Sequence, residues 1–127
     1  MTAFDLERVF LSLSPSGAAV ELPGEHFGDR LGRSPPDMAY LVSMTLQAAD
    51  WPHWERHPNG DEVLVLLEGR LEMTFDQDGV ESRRPFEAGQ TLIVPAGAWH
   101  RARVLEPGRM LGITYGEGTD HRPLSAP

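Results

Sequence analysis

Glycine and proline recur so closely along this chain that nearly every apolar run is cut short. The 13 glycines and 11 prolines are spread through the 127 residues rather than pooled in a linker. They fence off short apolar or β-branched runs at the intervals typical of all-β domains, and no stripe of helical period competes with that pattern. Ser14-Pro15-Ser16-Gly17 separates 8–13 from 18–22 and predicts an N-terminal hairpin. Strand character resumes at 40–46 and continues at 63–67, 71–75, 80–84, 91–94, 99–105 and 110–115, with Asp76-Gln77-Asp78-Gly79 closing another hairpin. The polar stretch 24–37, with Pro35-Pro36, is expected as loop with about one helical turn. The tail 116–127 is polar and proline-containing and is expected to trail over the surface.

The length suits a single domain over 1–127 with one sizeable core. There is no cysteine, so disulfides and thiolate ligands are excluded and any bound ion must be held by nitrogen and oxygen. Nineteen acids against 11 basic residues give a net charge of −8, a field that repels phosphate backbones and anionic membranes, so nucleic acid and membrane partners are not expected. No apolar run approaches spanning length, and the start MTAFDLERVF carries two acids where a signal peptide would be basic and apolar. A cytoplasmic protein is the expectation.

Two separated segments carry metal-competent side chains. If 53–57 is extended, His53, Glu55 and His57 share one face. Pro58-Asn59-Gly60 then turns the chain, and Glu62 opens a return strand close to His57, with Leu64 and Leu66 on the face of Glu62. In the second segment His100, Ala102 and Val104 form the buried face, while Arg101 and Arg103 point outward as solvated charges or dimer contacts. Singly, each histidine reads as a hydrogen-bonded core residue, and Glu62 as a cap on the turn at Gly60. Met44, Leu64 and Met73 alternate so as to line an interior pocket, although core filling is the default role of such residues. Trp51, Trp54 and Trp99 flank the candidate ligands as pocket walls or plain packing, and His26 and His121 match nothing. The run Val63-Leu64-Val65-Leu66-Leu67 is apolar on both faces, so something must cover its outer side: the N-terminal hairpin or, preferably, a second copy of the chain in a homodimer.

His57, four residues, Glu62, six residues and Gly69 resemble the latter part of the first cupin motif. Gly89, five residues, Pro95, one residue, Gly97, two residues and His100 resemble the second. The motifs span 55–100, and the flanking strands extend the resemblance over about 40–115. The resemblance implies a double-stranded β-helix or jelly-roll barrel, in agreement with the strand count. It also implies one divalent metal in the barrel mouth, held by three histidines and a glutamate. This chain departs at one position, where the first histidine of the family's paired-histidine element falls on Glu55. A carboxylate oxygen can replace an imidazole nitrogen, giving a candidate set of Glu55, His57, Glu62 and His100 that favours manganese, iron(II), zinc or nickel over copper(I). His53 could take the place of Glu55, support it, or serve as a catalytic proton donor. Two functional classes follow. One is an enzyme of dioxygenase, isomerase or lyase type, in which the metal orients and polarises a small oxygenated substrate. The other is a module that binds a small molecule without turning it over.

Overall fold

The computed structural model describes residues 1–23, 38–116 and 118–125. The loop expected at 24–37, His26 included, lies outside the described residues.

Eleven strands run in order: β1 Val9–Leu13, β2 Ala19–Pro23, β3 Tyr40–Gln47, β4 His53–Arg56, β5 Glu62–Leu66, β6 Arg70–Gln77, β7 Val80–Glu87, β8 Thr91–Val94, β9 Trp99–Glu106, β10 Gly108–Tyr115 and β11 Asp120–Pro123. They form a six-stranded sheet, β2-β1-β3-β10-β5-β8, and a five-stranded sheet, β11-β4-β9-β6-β7, with every pairing antiparallel. The two sheets pack face to face as an all-β jelly-roll, as the sequence predicts. The N-terminal hairpin forms as β1 and β2 and extends the six-stranded sheet beyond β3.

Turn chemistry explains the boundaries. Asp78 (φ 55°) and Gly79 (φ 81°) sit between the paired residues Gln77 and Val80, the positive-φ pair that a tight hairpin of matching twist requires. Asp76 Oδ1 accepts the Gly79 N–H at 3.0 Å and fixes this turn.

Alternation along the strands sorts core from surface. In β5, Glu62, Leu64 and Leu66 are buried and Val63 and Val65 half-buried. The core between the sheets is built from Leu64, Leu66, Val94 and Met110 on one side and Leu71, Met73, Phe75, Phe86 and Ala102 on the other. Strand β3 inverts the usual rule. Its polar residues Ser43, Thr45 and Gln47 share the inner face, Ser43 beside Gly112 and Leu64. Gln47 is buried, donating to Thr45 Oγ1 and accepting from Trp51 Nε1. Met44 therefore faces outward, opposite Leu111, and does not line the interior as expected. Leu64 and Met73 face inward and are fully buried in the packed core.

Two further expectations are corrected. Pro58-Asn59-Gly60 turns the chain and brings Glu62 close to His57 as expected, but the strand that Glu62 opens does not return along β4: β4 pairs with β11 and β9, while β5 pairs with β10 and β8, so the turn carries the chain from one sheet to the other. Nor does the whole tail trail free. Asp120–Pro123 pair with His53–Arg56, where β4 would otherwise leave an open edge of unpaired backbone groups. Among the described residues no helix is long and apolar enough to cross a membrane.

Candidate metal centre

Both candidate segments deliver their side chains into the space between the sheets. β4 points Glu55 inward, and the chain leaves it at His57. After the crossing turn, Glu62 opens β5 on the opposite wall. The second segment is held by a turn in which Ala98 N–H donates to Pro95 O at 3.1 Å. Gly97, with φ 79°, takes the one position of that turn closed to ordinary side chains. The Gly97 N–H also donates to His57 O at 3.0 Å, tying the two segments together. His100 follows two residues after the turn, opposite Phe75 on β6 and Glu55 on β4, and is completely buried.

The four groups converge. One ligand atom from each of Glu55, His57, Glu62 and His100 lies within 4.8 Å of all the others. The Nε2 atoms of His57 and His100 stand 3.2 and 3.3 Å from the two Glu62 oxygens and 3.6 and 3.8 Å from Glu55 Oε2. An ion bonded at about 2.0–2.2 Å spaces its donors by no more than about 4.4 Å, so a slight contraction would complete the shell. Glu55, not His53, is the fourth member of the cluster.

Fit to a cation is also argued by what is left unpaired. His57 Nε2, His100 Nε2 and Glu62 Oε1 are buried without a hydrogen-bond partner among the described residues. Burying such atoms unpaired is costly, and a cation at their centre satisfies all three at once. The outer atoms are anchored. His100 Nδ1 lies 3.0 Å from Ala98 O. A carbonyl only accepts, so the neutral ring carries its proton on Nδ1 and turns the Nε2 lone pair inward, the tautomer a metal needs. His57 Nδ1 pairs with Thr119 Oγ1 at 3.0 Å, and Thr114 Oγ1 donates to Glu62 Oε2 at 2.5 Å.

Without an ion the cluster stores a proton. Burial would lower the pKa of His57, but the Glu55 and Glu62 carboxylates outweigh it and raise it to about 9. Burial would raise that of Glu62, but the imidazoles of His100 and His57 beside it and the hydrogen bond from Thr114 bring it down to about 2. Glu55 is lowered as well, its burial opposed chiefly by His57. The signs define a window. His57 adds stability that is complete below its unfolded value of 6.5 and lost as pH rises through about 9. Glu62 adds stability that is complete above 4.5 and lost as pH falls through about 2. Chelator-treated protein is therefore expected to melt highest between pH 4.5 and 6.5 in a calorimetric pH series. Since a metal needs neutral imidazole, zinc uptake at pH 7 should release about one proton, and affinity should rise about tenfold per pH unit below 9. Proton-neutral uptake, followed with a pH indicator, would contradict this assignment.

Trp51 packs on the core, its ring 5.8 Å from that of His100. Trp54 and Trp99 lie on the outer face of the five-stranded sheet and do not wall the site: Arg101 and Arg122 cover Trp54 at 5.0 Å, and Arg56 and Arg122 cover Trp99 at 4.6 and 4.7 Å. Arg101 faces outward as expected, yet stacks on an indole instead of standing in solvent. Glu62 accepts from Thr114 rather than capping the turn at Gly60. His53 is half-buried, its ring 4.6 Å from that of His121. His121, which matched no pattern in the sequence, stands across from Glu55 on β11 with Nε2 3.3 Å from Glu55 Oε1.

The family model described as Cupin domain matches residues 42–114. The uncharacterized protein YdbB of Bacillus subtilis is 34% identical over 50 residues, 39% of this chain and 42% of that protein, so the match spans under half of the relative. Among solved structures, an oxalate decarboxylase variant from Bacillus subtilis is similar with a TM-score of 0.57 and 21% identity over 69% of this chain and 24% of that one. The Mn(II) centers of oxalate decarboxylase are the subject of a related structure. Fe(II)-HppE with the alternative substrate (S)-1-HPP gives a TM-score of 0.52 and 14% identity, over 61% of this chain and 43% of that one. At these identities the likeness is one of fold.

Proposed function

The chain belongs to the cupin domain family, and from that premise we propose that it is a metal-dependent enzyme acting on a small oxygenated molecule by dioxygenase, isomerase or lyase chemistry. The observation that carries the reading is the convergence of four donor atoms within 4.8 Å, three of their residues buried. Similarity to a manganese and to an iron protein supports it. Glu55, His57, Glu62 and His100 would hold one divalent ion of manganese, iron(II), zinc or nickel. Two ionised carboxylates balance its charge, which makes burial of the set affordable without a counter-anion. When bound, the ion supplies Lewis acidity and a template for substrate oxygens. The chain does the rest: Leu64, Met73 and Phe75 keep water from the inner side, Ala98 O holds the His100 proton at Nδ1, and His53 offers a proton donor two residues from Glu55. The test is to strip the protein, reload it with each of the four metals, and follow dioxygen uptake and a panel of small hydroxy and oxo acids by NMR. Turnover that requires the metal is expected. Saturable binding with no conversion of any panel member would leave the non-catalytic binding module instead.

We also propose that the protein works as a homodimer through the outer face of the six-stranded sheet. Leu11, Val42, Ile113, Val63 and Ile93 form an apolar row across five strands, with Met44, Leu111 and Val65 forming the next. Ile93 is 61% and Leu46 62% exposed. A face of this breadth, with no charge at its centre among the described residues, is the signature of an association surface, and a second copy supplies the same apolar rows about a two-fold axis. Light scattering after size exclusion is expected to give a dimer at micromolar concentration, and Leu46→Arg with Ile93→Arg a folded monomer. A monomeric wild type would end this proposal.

A further inference from the structure

Each inward-facing ligand is held from behind by one group. Ala98 O holds His100, Thr119 Oγ1 holds His57, Thr114 Oγ1 holds Glu62, and His121 Nε2 stands 3.3 Å from Glu55 Oε1. Two of the four anchors, Thr119 and His121, come from the short segment at and before β11, outside the 42–114 span that the family model matches. The Glu55 anchor answers a geometric need. An imidazole at this position would present one nitrogen, whereas a carboxylate has two oxygens and an extra torsion, and is therefore held less firmly on its own. Here Oε2 faces the two imidazoles while Oε1 turns to His121. The His121 ring is itself wedged edge-to-face against His53 at 4.6 Å, which steadies it although its side chain is 45% exposed.

We propose that the C-terminal strand is a working part of the metal centre, with His121 the positioning residue that locks Glu55 into its ligating orientation. This rests on the metal-site reading above. His121 does not join the ligand set: one face of Glu55 points to the ion, the other to His121. The strand thus compensates for the histidine that this chain lacks at position 55.

The experiment uses cobalt(II) as the probe ion, added to chelator-stripped full-length protein, with affinity read by competition and geometry by visible absorption. His121→Ala is expected to weaken cobalt about 10- to 100-fold and to shift the absorption bands toward those of Glu55→Ala. His121→Gln, which keeps an N–H donor, should stay within a few-fold of wild type. The Glu55→Ala/His121→Ala double variant should bind no more weakly than Glu55→Ala alone, because the anchor acts only through the carboxylate. A merely structural strand would give independent, multiplying losses and unshifted bands. Those results, or His121→Ala binding as wild type, would overturn the proposal. Failure of wild type itself to bind cobalt would overturn the metal-site reading instead, so the two failures are distinguishable.

Discussion

Replacing His100 by alanine is expected to weaken divalent metal binding by at least about a hundredfold while leaving the barrel folded. A four-ligand structural site contributes about 10–16 kcal/mol, so one ligand's share of roughly 3 kcal/mol corresponds to that factor or more. Folding is expected to survive because the removed Nε2 is a buried atom without a hydrogen-bond partner among the described residues, and its loss relieves a cost that partly offsets the cavity left beside Phe75 and Trp51. Glu62→Ala should remove binding equally but weaken the metal-free protein more, because His57, protonated at neutral pH, would lose its nearest carboxylate at 3.2 Å. Affinity is checked by competition titration and folding by circular dichroism. Full metal retention in His100→Ala would show that the ligands lie elsewhere.

The largest effect on stability is expected at Gly108. A Cβ there would sit 1.9 Å from Glu68 O and 2.6 Å from Gly69 N, both backbone atoms. Gly69, at φ 90°, meets Glu106 O at 2.5 Å in the same way. The turn between β9 and β10 therefore rests backbone on backbone against the loop between β5 and β6, and the atoms nearest each added carbon are backbone atoms that cannot swing aside. Gly108→Ala is expected to cost about 3–5 kcal/mol, a large part of a small domain's stability, and to lower the melting temperature by more than 10 °C on the order of what such losses produce. Gly79→Ala is the control. With φ 81° and nothing among the described residues within 4 Å of the added carbon, it should cost only about 1–2 kcal/mol. Equal melting temperatures for the two variants would refute the packing argument.

The four converging residues were legible in the sequence as candidates because they lie on or beside strands of fixed alternation, bounded by glycines whose positive φ a turn demands. Gly97 and His100 are bound together in this way: the turn that needs Gly97 is the one that aims His100. Gly69 was legible as a special position, but Gly108 was not, since only the folded chain shows which backbone presses on it. Met44 was misread for a physical reason. Val42, Met44 and Leu46 alternate with Ser43, Thr45 and Gln47, and the apolar set of such a strand normally faces the core. Here the polar set turns inward, where Gln47 is satisfied by Trp51 and Thr45, and the apolar set joins the outer rows. His121 carried no local signal at all. Its role depends on β11 pairing with β4, a contact between residues more than 60 positions apart, and a polar tail with a proline gives no hint of a strand. Likewise nothing in Pro58-Asn59-Gly60 distinguishes a hairpin from a passage between sheets, yet that passage is what sets His57 and Glu62 on opposite walls.

The decisive measurement on the metal centre uses crystals of the protein grown with manganese or zinc and data collected at the absorption edge of the ion. One anomalous peak per chain is expected, within about 2.0–2.3 Å of His57 Nε2, His100 Nε2 and an oxygen each of Glu55 and Glu62. An edge data set with no peak between these residues, or with the ion held by other groups, would contradict it.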